Sequence, residues 1–190
     1  MGINKESLDF IINTIENCDV LLNNCRMVEL GNQVLKGIGG TAKDYFESIG
    51  VDHVSIDTNG KNGALPLDLQ QEIKDKSLIN TFDVLTNFGT TEHVKSQYIC
   101  WLNIHNLVKQ NGIFIHLVPR TGHWRSHGDH KYSLEVFEKL VNSCGYEILE
   151  NFVRKSPSHG KDFICCSMIK RRNNEFVSNK VFNTFGILRK

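Results

Sequence analysis

The chain has 190 residues, 40% of them hydrophobic and 23% charged, and a formal net charge of +1. That length suits one domain with a full core, and the near-zero charge argues against duplex nucleic acid as a partner. No run approaches the roughly 20 apolar residues of a membrane span, the first residues lack a signal peptide's apolar run, and none of the six cysteines forms a Cys-x-x-Cys pair. A cytoplasmic protein with reduced, buried thiols is the expectation.

Strand and helix signals alternate along the chain, as in a parallel sheet with helices on its faces. Leu8, Ile11, Ile12, Ile15 and Leu22 recur near helical spacing and predict a leading helix over 6–23. Met27 to Leu30 is a short strand closed by Gly31, and a loop with Gly37, Gly39 and Gly40 follows. Thr41 can cap a helix that Gly50 ends. His53 to Asp57 is the second strand, Ala64 to Leu69 a short third one, and Gln70 to Ile79 a short helix or turn. Phe82 to Asn87 is a strong fourth strand, followed by a helix from about Val94 to Lys109 that Asn111-Gly112 ends. Ile113 to Val118 is nearly all apolar, as a strand covered on both faces should be. After a loop rich in Gly and His (Arg120 to Lys131) come a helix over Leu134 to Cys144 and two last strands, Tyr146 to Val153 and Asp162 to Lys170.

Three acidic features fall at successive strand ends, the edge at which open α/β sheets bind ligands. The first is Glu29-Leu30-Gly31, whose glycine lets the backbone approach a ligand, although an ordinary strand-to-loop glycine reads the same way. The second is Asp57, some twenty-odd residues on, where a carboxylate can accept from a ribose diol or simply start the turn Thr58-Asn59-Gly60. The third is Asp68-Leu69, whose acid could equally be a helix N-terminal residue. They are followed by Asn87-Phe88-Gly89-Thr90-Thr91-Glu92-His93-Val94, a small-residue turn leading to a Glu-His pair.

In this order the set resembles the class I S-adenosylmethionine-dependent methyltransferases over about residues 24–170. The resemblance implies a Rossmann-like sheet of seven mostly parallel strands with helices on both faces. It implies a single domain over 1–190, with the leading helix and the tail as additions. It also implies an enzyme that binds S-adenosylmethionine through Glu29, Gly31, Asn32, Asp57, Asp68, Leu69, Asn87 and Phe88, and methylates a small polar acceptor such as a sugar or nucleotide-linked metabolite.

The family's first motif continues with glycines at alternate positions, whereas here Asn32-Gln33 follow Gly31. That departure keeps open a non-catalytic member that only binds. The later Gly37-Ile38-Gly39-Gly40 suggests a phosphate cradle and an NAD(P)-dependent oxidoreductase, but these glycines come several residues too late for the dinucleotide fingerprint.

An oxygen or nitrogen acceptor can require a general base, and histidine suits that role near neutral pH. His93, His123 and His127 are the candidates, with Trp124 as a stacking surface or core anchor and Arg125 as an anion contact. His93 could instead make a structural hydrogen bond. His123, His127 and His130 hint at a metal site, but Gly122 and Gly128 work against the helix that His-x-x-x-His spacing needs, so no metal is assigned. Phe176, Val181, Phe182, Phe185, Ile187 and Leu188 make the tail apolar enough to pack on the domain or on a second copy in a homodimer.

Overall fold

A computed structural model describes residues 2–156 and 160–189; of the expected domain, residues 1, 157–159 and 190 lie outside it. The main sheet has six strands: β1 (Arg26–Leu30), β2 (Asp52–Ile56), β3 (Phe82–Phe88), β4 (Val108–Pro119), β6 (Tyr146–Lys155) and β7 (Asp162–Lys170). Their order is β2-β1-β3-β4-β7-β6. β2, β1, β3 and β4 are parallel neighbours, and β7 runs antiparallel to both β4 and β6. The short β5 (His130–Lys131) pairs with β8 (Leu188–Arg189), tying the chain's end to the loop after β4.

The expected third strand, 64–69, contributes only a single parallel bridge, Ile56 to Leu65, so the main sheet has six strands rather than seven. Leu65 exchanges two backbone hydrogen bonds with β2, to Ser55 at 2.8 Å and from Asp57 at 3.0 Å. The next N–H on that side, Leu67, turns back across Pro66 to the Leu65 carbonyl at 2.8 Å. A tight three-residue turn built on proline's fixed φ therefore takes the chain off the sheet after one pair.

Helices cover both faces. On one side lie α1 (Lys5–Glu16), capped by the Asn4 side chain, and α2 (Ala42–Ser48), opened by a Thr41–Asp44 capping box. They pack Ile11, Ile15, Ala42 and Phe46 on Met27, Val84, Ile113 and Ile115. On the other side lie α3 (Gln97–Leu107) and α4 (Leu134–Cys144), the latter closed by Gly145 at φ 70°. Trp101, Ile104, Phe137 and Leu140 there meet Val28, Leu30, Leu85 and Phe114. The alternation of strand side chains between the two clusters is the period-two pattern that a sheet covered on both faces requires. The tail folds back over this second layer through the one-turn α5 (Asn179–Phe182), burying Phe176, Phe182 and Phe185 and leaving Val181 and Leu188 exposed.

Three places differ from the sequence reading: the leading helix expected over 6–23 ends at Glu16, with Leu22 in a separate 3-10 turn, and two boundaries shift further on. The helix expected over 94–109 is a 3-10 turn at Thr91–His93 followed by α3, and β4 begins at Val108, ahead of Asn111-Gly112. That dipeptide forms a bulge rather than a helix end: Asn111 has φ 63°, and the pairing with β3 slips between Phe82–Val108 and Val84–Ile113.

Candidate functional site

A cleft of about 370 Å³ opens at the carboxyl ends of β1, β2 and β3, within the range of small-molecule sites. Gly31, Asn32, Asp57, Asp68 and Leu69 line it, as does His93 at one end. Gln33, Thr58, Gln70, Gly89, Thr90 and Val94 also line it; turn residues such as the first five carry no periodicity to mark them, and Val94 reads as the first residue of a helix.

Each wall is set by local hydrogen bonds. Gly31 leaves β1 at φ +83° and donates to the Ile56 carbonyl at 2.8 Å. A Cβ there would lie 2.6 Å from Thr90 Oγ1 and 2.7 Å from Gln33 Nε2, so only glycine fits. Thr90 Oγ1 donates to the Leu30 carbonyl at 2.7 Å, which joins the β3 turn to the end of β1. The Asp57 carboxylate accepts from the backbone N–H of Asn32 and of Asn59, both at 3.0 Å, and keeps further acceptor capacity. The wall at 69–73 is held by Asn103 of α3. Its amide donates to the carbonyls of Leu69 (3.2 Å) and Gln71 (2.8 Å) and accepts from the N–H of Ile73 (2.9 Å).

Glu29 lies beneath the cleft, 1% exposed, and does not line it. Its Oε1 accepts from the Gln33 N–H and the Ser55 hydroxyl, both at 3.1 Å, so it orders the turn that carries Gly31 and Asn32. Burial pushes its carboxyl up to about 8, against the pull of these two bonds.

Asn87 and Phe88 are not brought into the cleft. Phe88 packs in the core with α1 and α2. Asn87 is fully buried: its amide donates to Thr91 Oγ1 at 2.9 Å and its carbonyl accepts from the Thr91 N–H at 3.2 Å. The same threonine hydroxyl lies 3.0 Å from the phenol of Tyr132, which is 2.8 Å from Gln97 Oε1. This network fixes the turn that presents Glu92 and His93.

The three histidines separate. His93 and His127 meet edge to face, 4.8 Å between centroids, beside the buried Glu92. Burial holds the His93 imidazole below its ordinary pKa, with Glu92 opposing. His123 lies instead at the start of β7, where its Nδ1 accepts from the Asp162 N–H at 3.3 Å and its Nε2 is 3.6 Å from the Asp162 carboxylate. Trp124 anchors the same corner: its ring is 4.6 Å from that of Phe163 and its indole N–H donates to the Asp162 carbonyl at 2.6 Å. Arg125 is exposed. Gly122 and Gly128, both at positive φ, bracket the loop segment in which His123 turns to Asp162 and His127 to Glu92.

The later glycines take no part in the cleft. Gly37, Gly39 and Gly40 sit at positive φ at an exposed turn closed by Leu35 N–H to Gly40 O (3.0 Å) and Gly39 N–H to Leu35 O (3.0 Å). They serve a tight reversal, not a phosphate cradle.

No family model and no curated protein matches this sequence. Solved structures do match its fold. The N-methyltransferase NodS from Bradyrhizobium japonicum, in complex with S-adenosylhomocysteine, superposes with TM-score 0.59 at 11% identity, over 89% of each chain. The 1,6-didemethyltoxoflavin-N1-methyltransferase of Burkholderia thailandensis, with 1,6-didemethyltoxoflavin and S-adenosylhomocysteine bound, gives 0.57 at 12% identity, over 86% of each chain. The chain has the class I methyltransferase fold. The [4+2]-cyclase SpnF shares it, with TM-score 0.60 at 12% identity over 87% of this chain and 82% of that one. A class I methyltransferase fold thus supports more than one chemistry, and function must be argued from the site. The sheet edge at which the cleft opens is where such parallel α/β sheets take ligands.

Proposed function

We propose that this protein binds S-adenosylmethionine in the cleft and transfers its methyl group to a small polar acceptor. The observation that carries the reading is the meeting of Gly31, Asp57 and Asp68 in one cleft, although they come from three separate stretches of chain. Asp57, held by two backbone N–H groups, suits the ribose hydroxyls. Asp68, between Leu67 and Leu69, suits the adenine, with an acceptor for its amino group and apolar contact for its faces. The methionine part would pass the turn at Gly31 and Asn32, over which the Gln33 and Thr90 side chains pack. Methyl transfer is an in-line displacement, so orientation supplies much of the rate. His93, at one end of the cleft with Glu92 and His127 beside it, then faces the acceptor.

Among the described residues no helix is long and apolar enough to cross a membrane. All six cysteines are unpaired, which supports placement in the reducing cytoplasm.

Calorimetric titration with S-adenosylmethionine and S-adenosylhomocysteine, with NAD as control, tests the reading. Saturable binding of the first two at micromolar concentration is expected. Binding without turnover over a broad acceptor panel would favour a non-catalytic binding protein, and preference for NAD would overturn the assignment.

A further inference from the structure

The carboxylate of Glu92 is fully buried and neither of its oxygens has a hydrogen-bond partner. A buried carboxylate is ordinarily compensated by hydrogen bonds, a cation or a metal ion. Two imidazoles adjoin it: His127 Nε2 is 3.5 Å and His93 Nε2 4.0 Å from Oε1. His127 Nε2 is itself buried and unpartnered. One potential ligand atom from each of the three residues falls within 4.8 Å of the others. A tetrahedral ion with bonds of about 2.0–2.2 Å spaces its ligands about 3.4 Å apart, so a small closure of the side chains meets that requirement.

The surroundings hold this group in place. Gly128, at φ +65°, lies so close over Glu92 that a Cβ would come within 2.7 Å of its Cγ. The Asp129 N–H donates to the Glu92 carbonyl at 2.7 Å. The Lys131 ammonium donates to the carbonyls of His127, Gly128 and His130, fixing the backbone that presents the His127 ring. On the other side, the Asn87–Thr91–Tyr132–Gln97 network fixes the turn carrying Glu92 and His93.

We propose that Glu92, His93 and His127 bind a divalent first-row transition cation of the zinc class. Two imidazoles and one carboxylate suit such an ion better than magnesium, which prefers oxygen ligands. Three protein ligands leave a coordination position open. His93 also lines the cleft, and an oxygen-bearing acceptor that reached the ion from there would complete the coordination. This last step rests on the methyl-transfer reading; the metal site does not.

The test is titration of chelator-treated, folded protein with Zn2+ by calorimetry in the absence of S-adenosylmethionine, repeated with Co2+ by visible absorption. One equivalent should bind at micromolar concentration or tighter, with the absorption of a nitrogen- and oxygen-ligated Co2+. His127→Ala and His93→Ala should each weaken binding at least about tenfold, as loss of a ligand or its support does. Glu92→Gln, which keeps the shape, should do the same. No saturable binding, or binding that all three variants leave unchanged, overturns the site. Since the titration uses metal alone, failure to bind S-adenosylmethionine would sink the methyl-transfer reading without touching this one.

Discussion

The side-chain amide of Gln33 lies over Gly31, its Nε2 2.7 Å from where a Cβ on that residue would stand, with Thr90 Oγ1 at 2.6 Å. Gln33 thus fills the space above the turn at the point where the methyltransferase motif carries a further glycine, and it narrows the cleft floor without closing it. Gly31→Ala should therefore cost stability twice, through the two contacts and through an L-residue at φ +83°. The left-handed backbone alone is worth about 1–2 kcal/mol. Thermal unfolding of Gly31→Ala should show that loss or more, and the double variant Gly31→Ala/Gln33→Gly should recover part of it. No recovery would mean that the backbone or Thr90, not the Gln33 amide, sets the restriction.

Asp57→Ala should weaken binding of S-adenosylhomocysteine by about 1–3 kcal/mol, the usual worth of hydrogen bonds to a charged group. The carboxylate also fixes the N–H groups of Asn32 and Asn59, so part of the effect comes through the turn. Asp57→Asn retains an acceptor for that role and should fall between wild type and alanine. A folded alanine variant with unchanged affinity would remove Asp57 from the ribose site.

The succession of strands and helices along the chain was legible because burial leaves period-two and period-3.6 patterns, and Gly31 and Asp57 because they close strands. The third strand was not, since its apolar residues fit a strand while Pro66 diverts the hydrogen bond that would extend it. Asn87 and Phe88 were misplaced for a related reason: at the end of a strand, alternation does not say whether a side chain faces the cleft or the layer beneath. The pairing of Glu92 with His127 joins residues 35 positions apart through a loop reversal, and no local pattern encodes that contact.

Glu29 predicts a pH dependence. Its folded-state pKa is raised from an ordinary 4.5 to about 8, so the folded protein binds the proton more tightly than the unfolded chain. Its contribution to stability is present below about pH 4.5 and is lost as pH rises towards 8. Glu29→Gln keeps the shape and an acceptor for Gln33 and Ser55 while removing the titration. The melting temperature of the variant relative to wild type should climb between pH 5 and pH 8, by an amount equivalent to roughly 3–4 kcal/mol. A difference that stays constant with pH would show that Glu29 does not titrate there.

His53 acts in the opposite direction. It stacks on Phe46, 5.7 Å between centroids, with neither ring nitrogen partnered. Burial lowers its pKa from 6.5 to about 4. Its contribution is complete above pH 6.5 and is lost as pH falls towards 4. His53→Phe, similar in shape and without a charge to desolvate, should gain about 2 kcal/mol relative to wild type on going from pH 7.5 to pH 5. Urea unfolding at the two pH values measures this directly, and equal gains at both would refute it.

Asn103 links α3 to the cleft from behind. It sits fully buried in the helix and makes three hydrogen bonds to the backbone of residues 69–73. Leu69 and Gln70, at the near end of that segment, face the cleft. Asn103→Ala leaves two carbonyls and an N–H without partners, at a cost of about 1–3 kcal/mol for a buried unsatisfied group. Asn103→Leu, closer in volume, separates packing from hydrogen bonding. Both variants should lower the melting temperature and weaken S-adenosylhomocysteine binding, and amide exchange over 69–73 should quicken relative to that in β3. Were exchange to quicken equally throughout the sheet, the loss would be one of global stability, and the wall would owe its position to the rest of the fold.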